Sequence, residues 1–129
     1  GTSAALEFAV KGLEVSDIIV MGHAQCGGIQ ALIGMADGKQ PEGEFIGPWM
    51  SIAEHAVQIA QQGNNKDRNR AVQTEQAVVR LSLQNLETFP WVTERITNGS
   101  LELHGFYFDI SNGFVQWLNP TEDKFEDFD

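Results

Sequence analysis

The sequence predicts an α/β fold: a sheet with a mostly parallel core, flanked by helices and finished by a C-terminal β-hairpin. Three observations predict it. A short β-branched run, Ile18-Ile19-Val20-Met21, lies between two amphipathic helical patterns, and such a continuous apolar strand is typical of a sheet covered on both faces. Helical periodicity then prevails to about Asn98. Beyond it, apolar residues alternate on either side of an Asn112-Gly113 turn signal. No repeat, low-complexity tract or linker divides the chain, so residues 1–129 are read as part of one domain.

Taken in order, Leu6, Ala9, Val10 and Leu13 follow the i, i+3, i+4, i+7 rule and predict a helix over about 4–13, with Thr2 or Ser3 as its cap. Gly22 ends the strand, and Gly27-Gly28 opens a helix whose inner face is Ile29, Leu32, Ile33 and Ala36. Asp37 to Gly47 is a Gly/Pro-rich loop. A longer helix follows from Pro48, with Trp49, Ile52, Ala53, Ala56 and Ala60 on one stripe, until Gly63-Asn64-Asn65-Lys66-Asp67 breaks it. Val72, Val79, Leu83 and Leu86 predict a helix from about Asn69 to Leu86, and Pro90 starts a short one that stops at Asn98-Gly99. Leu101 and Leu103 alternate in one phase and Phe106, Phe108 and Ile110 in the other. The switch at Gly105 predicts a bulge or a close backbone approach. Asn112-Gly113 predicts a type I′ hairpin returning through Phe114 to Leu118. The last ten residues are expected to form an arm or frayed end, with Phe125 and Phe128 free to dock on a neighbour.

Eighteen acidic residues against eight basic ones give a net charge of −10. That balance repels nucleic acid and anionic lipid, so neither is an expected partner. No apolar run reaches the ~20 residues of a membrane span. A single cysteine excludes an internal disulfide and fits a reducing, cytoplasmic setting. The chain starts at Gly1 without a methionine, as though cut from something longer, and a targeting segment could have preceded it.

The chemistry concentrates at Gly22-His23-Ala24-Gln25-Cys26-Gly27-Gly28, a glycine turn from strand to helix. Three readings compete. Imidazole and thiolate three residues apart can close on one metal ion. Backbone amides and a helix dipole can face an anion, although no Walker lysine or G-x-G-x-x-G run is present. Cys26 can also act as a nucleophile, activated by the helix N-terminus with His23 as base. Elsewhere bland roles are favoured. His104 is read as structural, and His55 and the Lys66/Arg68/Arg70 cluster beside Asp67 as solvated. Trp49 and Trp117 are read as core or interface anchors.

The surrounding residues separate these readings. Glu7-Phe8-Ala9-Val10, Leu13, Ile18-Ile19-Val20 and the Gly22-His23-x-x-Cys26-Gly27 turn resemble the β-class carbonic anhydrases, closest to their plant-like branch. The resemblance continues through Phe45-x-x-x-Trp49 and Glu75-x-Ala77-Val78-x-x-Ser82-Leu83-x-Asn85-Leu86-x-Thr88-x-Pro90. It extends to Leu101-x-Leu103-x-Gly105-x-Tyr107-x-Asp109 and Gly113-x-x-x-Trp117, covering nearly the whole chain.

The resemblance implies the C-terminal part of a β-carbonic anhydrase domain, with its sheet and helices. It implies zinc (Zn2+) as cofactor, His23 and Cys26 as two of three protein ligands, and reversible hydration of carbon dioxide to bicarbonate. Gly27 falls where a backbone amide contacts substrate or water, and Phe8 at a pocket-lining position that is often tyrosine. The third ligand, a cysteine, and an aspartate–arginine pair belong upstream of the position of Gly1. The chain by itself is therefore expected to be inactive, needing an N-terminal segment or companion chain. A homodimer or higher oligomer is implied as well. A non-catalytic domain with an assembly or anion-binding role is the alternative, and a thiol-dependent hydrolase ranks third.

Overall fold

The computed structural model describes residues 1–41, 43–62 and 70–128. Helix α1 (Thr2–Glu7) runs directly into a π-helical turn, Phe8–Gly12, and then into strand β1 (Asp17–His23). Helices α2 (Gly27–Ala36), α3 (Ile46–Ser51), α4 (Glu54–Gln62), α5 (Arg70–Glu87) and α6 (Pro90–Thr97) follow. Strands β2 (Glu102–Asp109), β3 (Phe114–Asn119) and β4 (Lys124–Asp127) close the chain. The sheet order is β1-β2-β3-β4: β1 and β2 are parallel, and β3 and β4 add antiparallel. The α/β architecture with a C-terminal hairpin is as the sequence predicts, with its parallel core confined to one strand pair.

The first helix departs from expectation. Gly1 caps α1 without a side-chain hydrogen bond, so neither Thr2 nor Ser3 takes that role. After Glu7 the ladder widens, and the Leu13 amide donates to the Phe8 carbonyl at 3.0 Å. A π turn holds one residue more than an α turn, which shifts the face downstream of it. Val10 is fully buried while Leu13 is turned out. The Arg95 guanidinium fastens this segment by donating to the Val10 carbonyl at 2.7 Å and to the Ser100 carbonyl at 3.1 Å.

Strand β1 is covered on one face only. Its register sets Ile18, Val20 and Gly22 beside Leu103, Gly105 and Tyr107, and this set lies under α5. The other set, Ile19, Met21 and His23, lies beside His104, Phe106 and Phe108. Ile19 and Met21 are each 59% exposed. A β-branched run therefore marks strand here, while the two-sided burial it suggested is not present in the isolated chain.

Gly105 shows a close approach and no bulge, since the β1–β2 register runs unbroken through Val20↔Gly105. A Cβ on Gly105 would lie 3.0–3.2 Å from Leu83, Val79 and Leu118, and one on Gly22 would lie 2.6 Å from Val79 Cγ2. Both strands are thus bare where α5 presses on them. The apparent phase switch in β2 reflects apolar residues on both faces: Leu101, Leu103 and Tyr107 under the helices, Phe106 and Phe108 opposite.

Further corrections concern helix breaks and the C-terminus. The helix expected from Pro48 is two, α3 and α4, turning at Ile52–Ala53. This break leaves Trp49 63% and Ile52 69% exposed, so the expected single stripe is lost. The expected break after α4, the basic residues Lys66 and Arg68, and the start at Asn69 lie outside the described residues. Arg70 begins α5, and its Nη1 donates to both carboxylate oxygens of Asp37, each at 3.0 Å. The hairpin loop spans Ile110 to Gly113, four residues and not the two of a type I′ turn. Asp109 organises it by accepting from the Ser111 amide at 2.9 Å and from Asn112 Nδ2 at 3.0 Å. The expected arm is strand β4. Phe125 is buried edge-on against Tyr107 at 6.3 Å, while Phe128 packs on Phe106 and stays half exposed.

Because valine is stiff about χ1, Gly22→Ala must displace α5 or the strand. We expect it to cost about 1–3 kcal/mol, read as a lower denaturant midpoint with an unchanged slope.

Candidate functional site

At the carboxyl end of β1 the chain leaves the sheet through a turn built from three local features. Gly22 permits the approach of α5, as above. Gln25 adopts φ +57°, a left-handed conformation uncommon for a residue with a side chain. Cys26 is extended (φ −71°, ψ 116°) and caps α2, whose first residue is Gly27. The Ala24 amide donates to the Phe108 carbonyl at 2.8 Å, so His23 is still fastened to the sheet.

His23 and Cys26 line one mostly apolar cavity of about 220 Å³, together with Ile29, Trp49, Met50 and Val78. His23 Nδ1 lies 2.9 Å from the Ala24 carbonyl. A carbonyl accepts only, so Nδ1 carries the proton and the Nε2 lone pair is left for a ligand. Cys26 is a free, half-buried thiol. Gly27, at the first turn of α2, offers an amide outside the helical ladder, and a Cβ there would meet nothing within 4 Å. Phe8 lies on the π turn, is 63% exposed and does not line this cavity.

Beneath the turn is a residue whose sequence motif assigns it no role. Glu75 of α5 is 3% exposed. Its Oε1 accepts the Cys26 amide at 3.0 Å and its Oε2 accepts the Tyr107 hydroxyl at 2.7 Å. Burial, and then the carboxylate beside it, push the Tyr107 hydroxyl well above the ordinary tyrosine range. The signal was legible in one respect: Glu75 falls on the Val72, Val79, Leu83 stripe, where an acid has no reason to be unless it is bonded.

Asp17, Glu102 and His104 converge within 4.8 Å at the opposite end of β1, and among the described residues no other group of three potential ligands does so. At about 3.3 Å per residue, that end lies roughly 20 Å from the His23 turn. Here His104 Nε2 pairs with Asp17 Oδ1 at 2.8 Å, joining the starts of the two parallel strands. His104 thus bridges the two strand starts, and the cluster, two of its three residues exposed, is bonded within itself.

Comparison with known proteins identifies the lineage. A family model described as carbonic anhydrase matches residues 1–115. The chain belongs to the β-carbonic anhydrase family. It is 38% identical over 119 residues to the chloroplastic β-carbonic anhydrase 5 of Arabidopsis thaliana, covering 90% of this chain and 39% of that protein. It is 32% identical over 126 residues to the mitochondrial β-carbonic anhydrase 6 of the same plant, covering 95% of this chain and 43% of that one. The chain therefore spans about two fifths of the length of these relatives. Its fold superposes on the β-carbonic anhydrase CcaA with a TM-score of 0.89 at 25% identity, over 100% of this chain and 58% of CcaA. A tetrameric β-carbonic anhydrase of Sordaria macrospora gives a TM-score of 0.74 at 25% identity, over 92% and 59% of the two chains.

At the far end of the sheet, the Ser16 hydroxyl and then His104 hold the Asp17 carboxyl below its ordinary value of 3.8. A depressed carboxyl stabilises the fold above its unfolded pKa and loses that contribution as pH falls through the folded one. We expect the unfolding midpoint of the unaltered chain to exceed that of Asp17→Asn above about pH 4, and the gap to close as pH falls further in thermal melts.

Proposed function

We propose that the His23–Cys26 turn is part of a zinc site serving reversible hydration of carbon dioxide to bicarbonate, with His23 Nε2 and Cys26 Sγ as ligands. The observation that carries this reading is the ring of His23, whose Nδ1 is committed to a backbone carbonyl while it shares a cavity with a free thiol. Such a bond fixes the tautomer and orients a metal-binding imidazole. One nitrogen and one sulfur at this spacing suit zinc. Zinc, when bound, supplies the acidity that makes water a competent nucleophile near neutral pH.

The remaining roles fall to the chain's own groups. The apolar lining from Ile29, Met50 and Val78 accepts a nonpolar gas and limits bulk water. The Gly27 amide, at the positive end of α2, enters this reading as a donor to an oxygen of the bicarbonate product, although Gly27 is not among the residues lining the cavity. Phe8, outside the cavity, enters this reading as an apolar wall of an assembled site. A further thiolate and the aspartate–arginine pair must come from a segment or companion chain beyond these 129 residues. The uncovered apolar face of the sheet at Ile19 and Met21 supports self-association into a homodimer or larger oligomer. Among the described residues no helix is long and apolar enough to cross a membrane. The lone cysteine favours the cytoplasm, whereas the two Arabidopsis relatives are named for the chloroplast and the mitochondrion.

A non-catalytic role in assembly or anion binding is the second reading. It is favoured by one fact: among the described residues no third ligand converges on His23 and Cys26.

Two ligands supply about half the roughly 10–16 kcal/mol of a full structural zinc site, or about 5–8 kcal/mol. The purified chain should therefore bind zinc with a micromolar to sub-millimolar Kd. The measurement is zinc protection of Cys26 from iodoacetamide, with His23→Ala abolishing protection. Carbon dioxide hydration by the chain alone should equal that of buffer in stopped flow. Turnover without any added segment would overturn the partial-site assignment, and zinc-indifferent alkylation would overturn zinc ligation by Cys26, as a thiol-dependent hydrolase requires.

A further inference from the structure

We infer that Glu75 is a positioning residue for the Cys26 ligand, an inference that rests on the zinc reading above and adds to it. Three observations converge on this carboxylate. It is almost wholly buried, yet both of its oxygens are used, one by the Cys26 amide and one by the Tyr107 hydroxyl. Tyr107 pairs in the sheet with Gly22, the residue before His23. Glu75 lies one helical turn before Val79, which packs against Gly22 itself.

The consequence is geometric. The direction of the Cys26 Cα–Cβ bond follows from its backbone, and that backbone lies between a left-handed Gln25 and the start of α2. Nothing in the helical ladder holds an amide at a helix N-cap. Glu75 supplies the missing acceptor from 49 residues away. Tyr107 fixes Glu75 in turn, from the strand adjoining the one that carries His23. The chain of contacts from Cys26 through Glu75 and Tyr107 to β1 therefore fixes the backbone of Cys26 relative to the strand that carries His23. Groups that orient ligands from behind contribute about 10–100-fold in metal affinity.

Glutamine offers a discriminating substitution, because its carbonyl oxygen can still accept the Cys26 amide while its NH2 donates to the Tyr107 oxygen. In the full chain, Glu75→Ala should speed hydrogen exchange of the Cys26 amide at least tenfold by NMR. It should also raise the zinc concentration for half-protection of Cys26 from iodoacetamide by about 10–100-fold, while Glu75→Gln stays within about threefold of the unaltered chain. A residue acting only on global stability would lower the unfolding midpoint and leave the zinc midpoint of the folded protein unchanged. If Glu75→Ala does not fold, Tyr107→Phe replaces it, with smaller shifts in the same directions. Unchanged Cys26 exchange and an unchanged zinc midpoint in the folded variant would overturn the inference. Absence of zinc protection in the unaltered chain would instead overturn the zinc reading, leaving amide exchange to decide whether Glu75 holds the turn.

Discussion

The fold depends on how closely α5 lies against the first two strands. Val79 sits over Gly22 and Gly105, two positions where any side chain would push the helix away. Around it gather Ala24, Tyr107 and Phe125, with Val20, Val72, Leu83 and Leu118 at the margin. This contact brings a helix backbone close to a sheet and so brings Glu75, one turn earlier, within reach of the Cys26 amide. A looser helix would leave the carboxylate short of the turn, buried and unsatisfied, at a cost of several kcal/mol. Packing and site chemistry are therefore parts of one arrangement.

The sequence was informative where one local rule decided the outcome. Pro90 at the first position of α6 and Gly99 at φ +79° mark that helix at both ends, and they lie where the pattern put them. The turn carrying His23 and Cys26 was also legible, because strand, glycine and helix signals meet there. What was not legible depended on contacts distant in sequence. The hairpin loop was misjudged because Asp109 binds Ser111 and Asn112, outweighing the Asn112-Gly113 preference. Strand β4 was missed because its acidic, solvent-facing residues mask the one inward side chain, Phe125. The role of Glu75 could not be assigned before α5 was placed on the sheet, since its partners are 49 and 32 residues away.

The same reasoning accounts for the uncovered face of β1. Ile19 and Met21 belong to a run whose composition calls for burial on both sides, and β1 is also an edge strand. Edge strands in soluble proteins are commonly blunted by charge, proline or a covering element, and the middle of β1 carries none of these. On that face Phe128 packs edge-on against Phe106 with ring centroids 5.2 Å apart. An apolar parallel edge and an apolar face therefore meet at one strand, the combination that favours association with other polypeptide.

On the zinc reading proposed above, these features keep the backbone of two ligands in place without help from the remaining ones. A flexible pair of ligands would lose side-chain and backbone freedom on binding, about 1–2 kcal/mol for each backbone residue fixed. Here that ordering has already occurred during folding. The His23 ring is tied to the Ala24 carbonyl, and the Cys26 amide is tied to Glu75. The unfavourable Gln25 conformation is maintained by the packing on either side of it. On that reading, further ligands meet a His23 ring and a Cys26 backbone that are already held, so little binding energy is spent on ordering this turn.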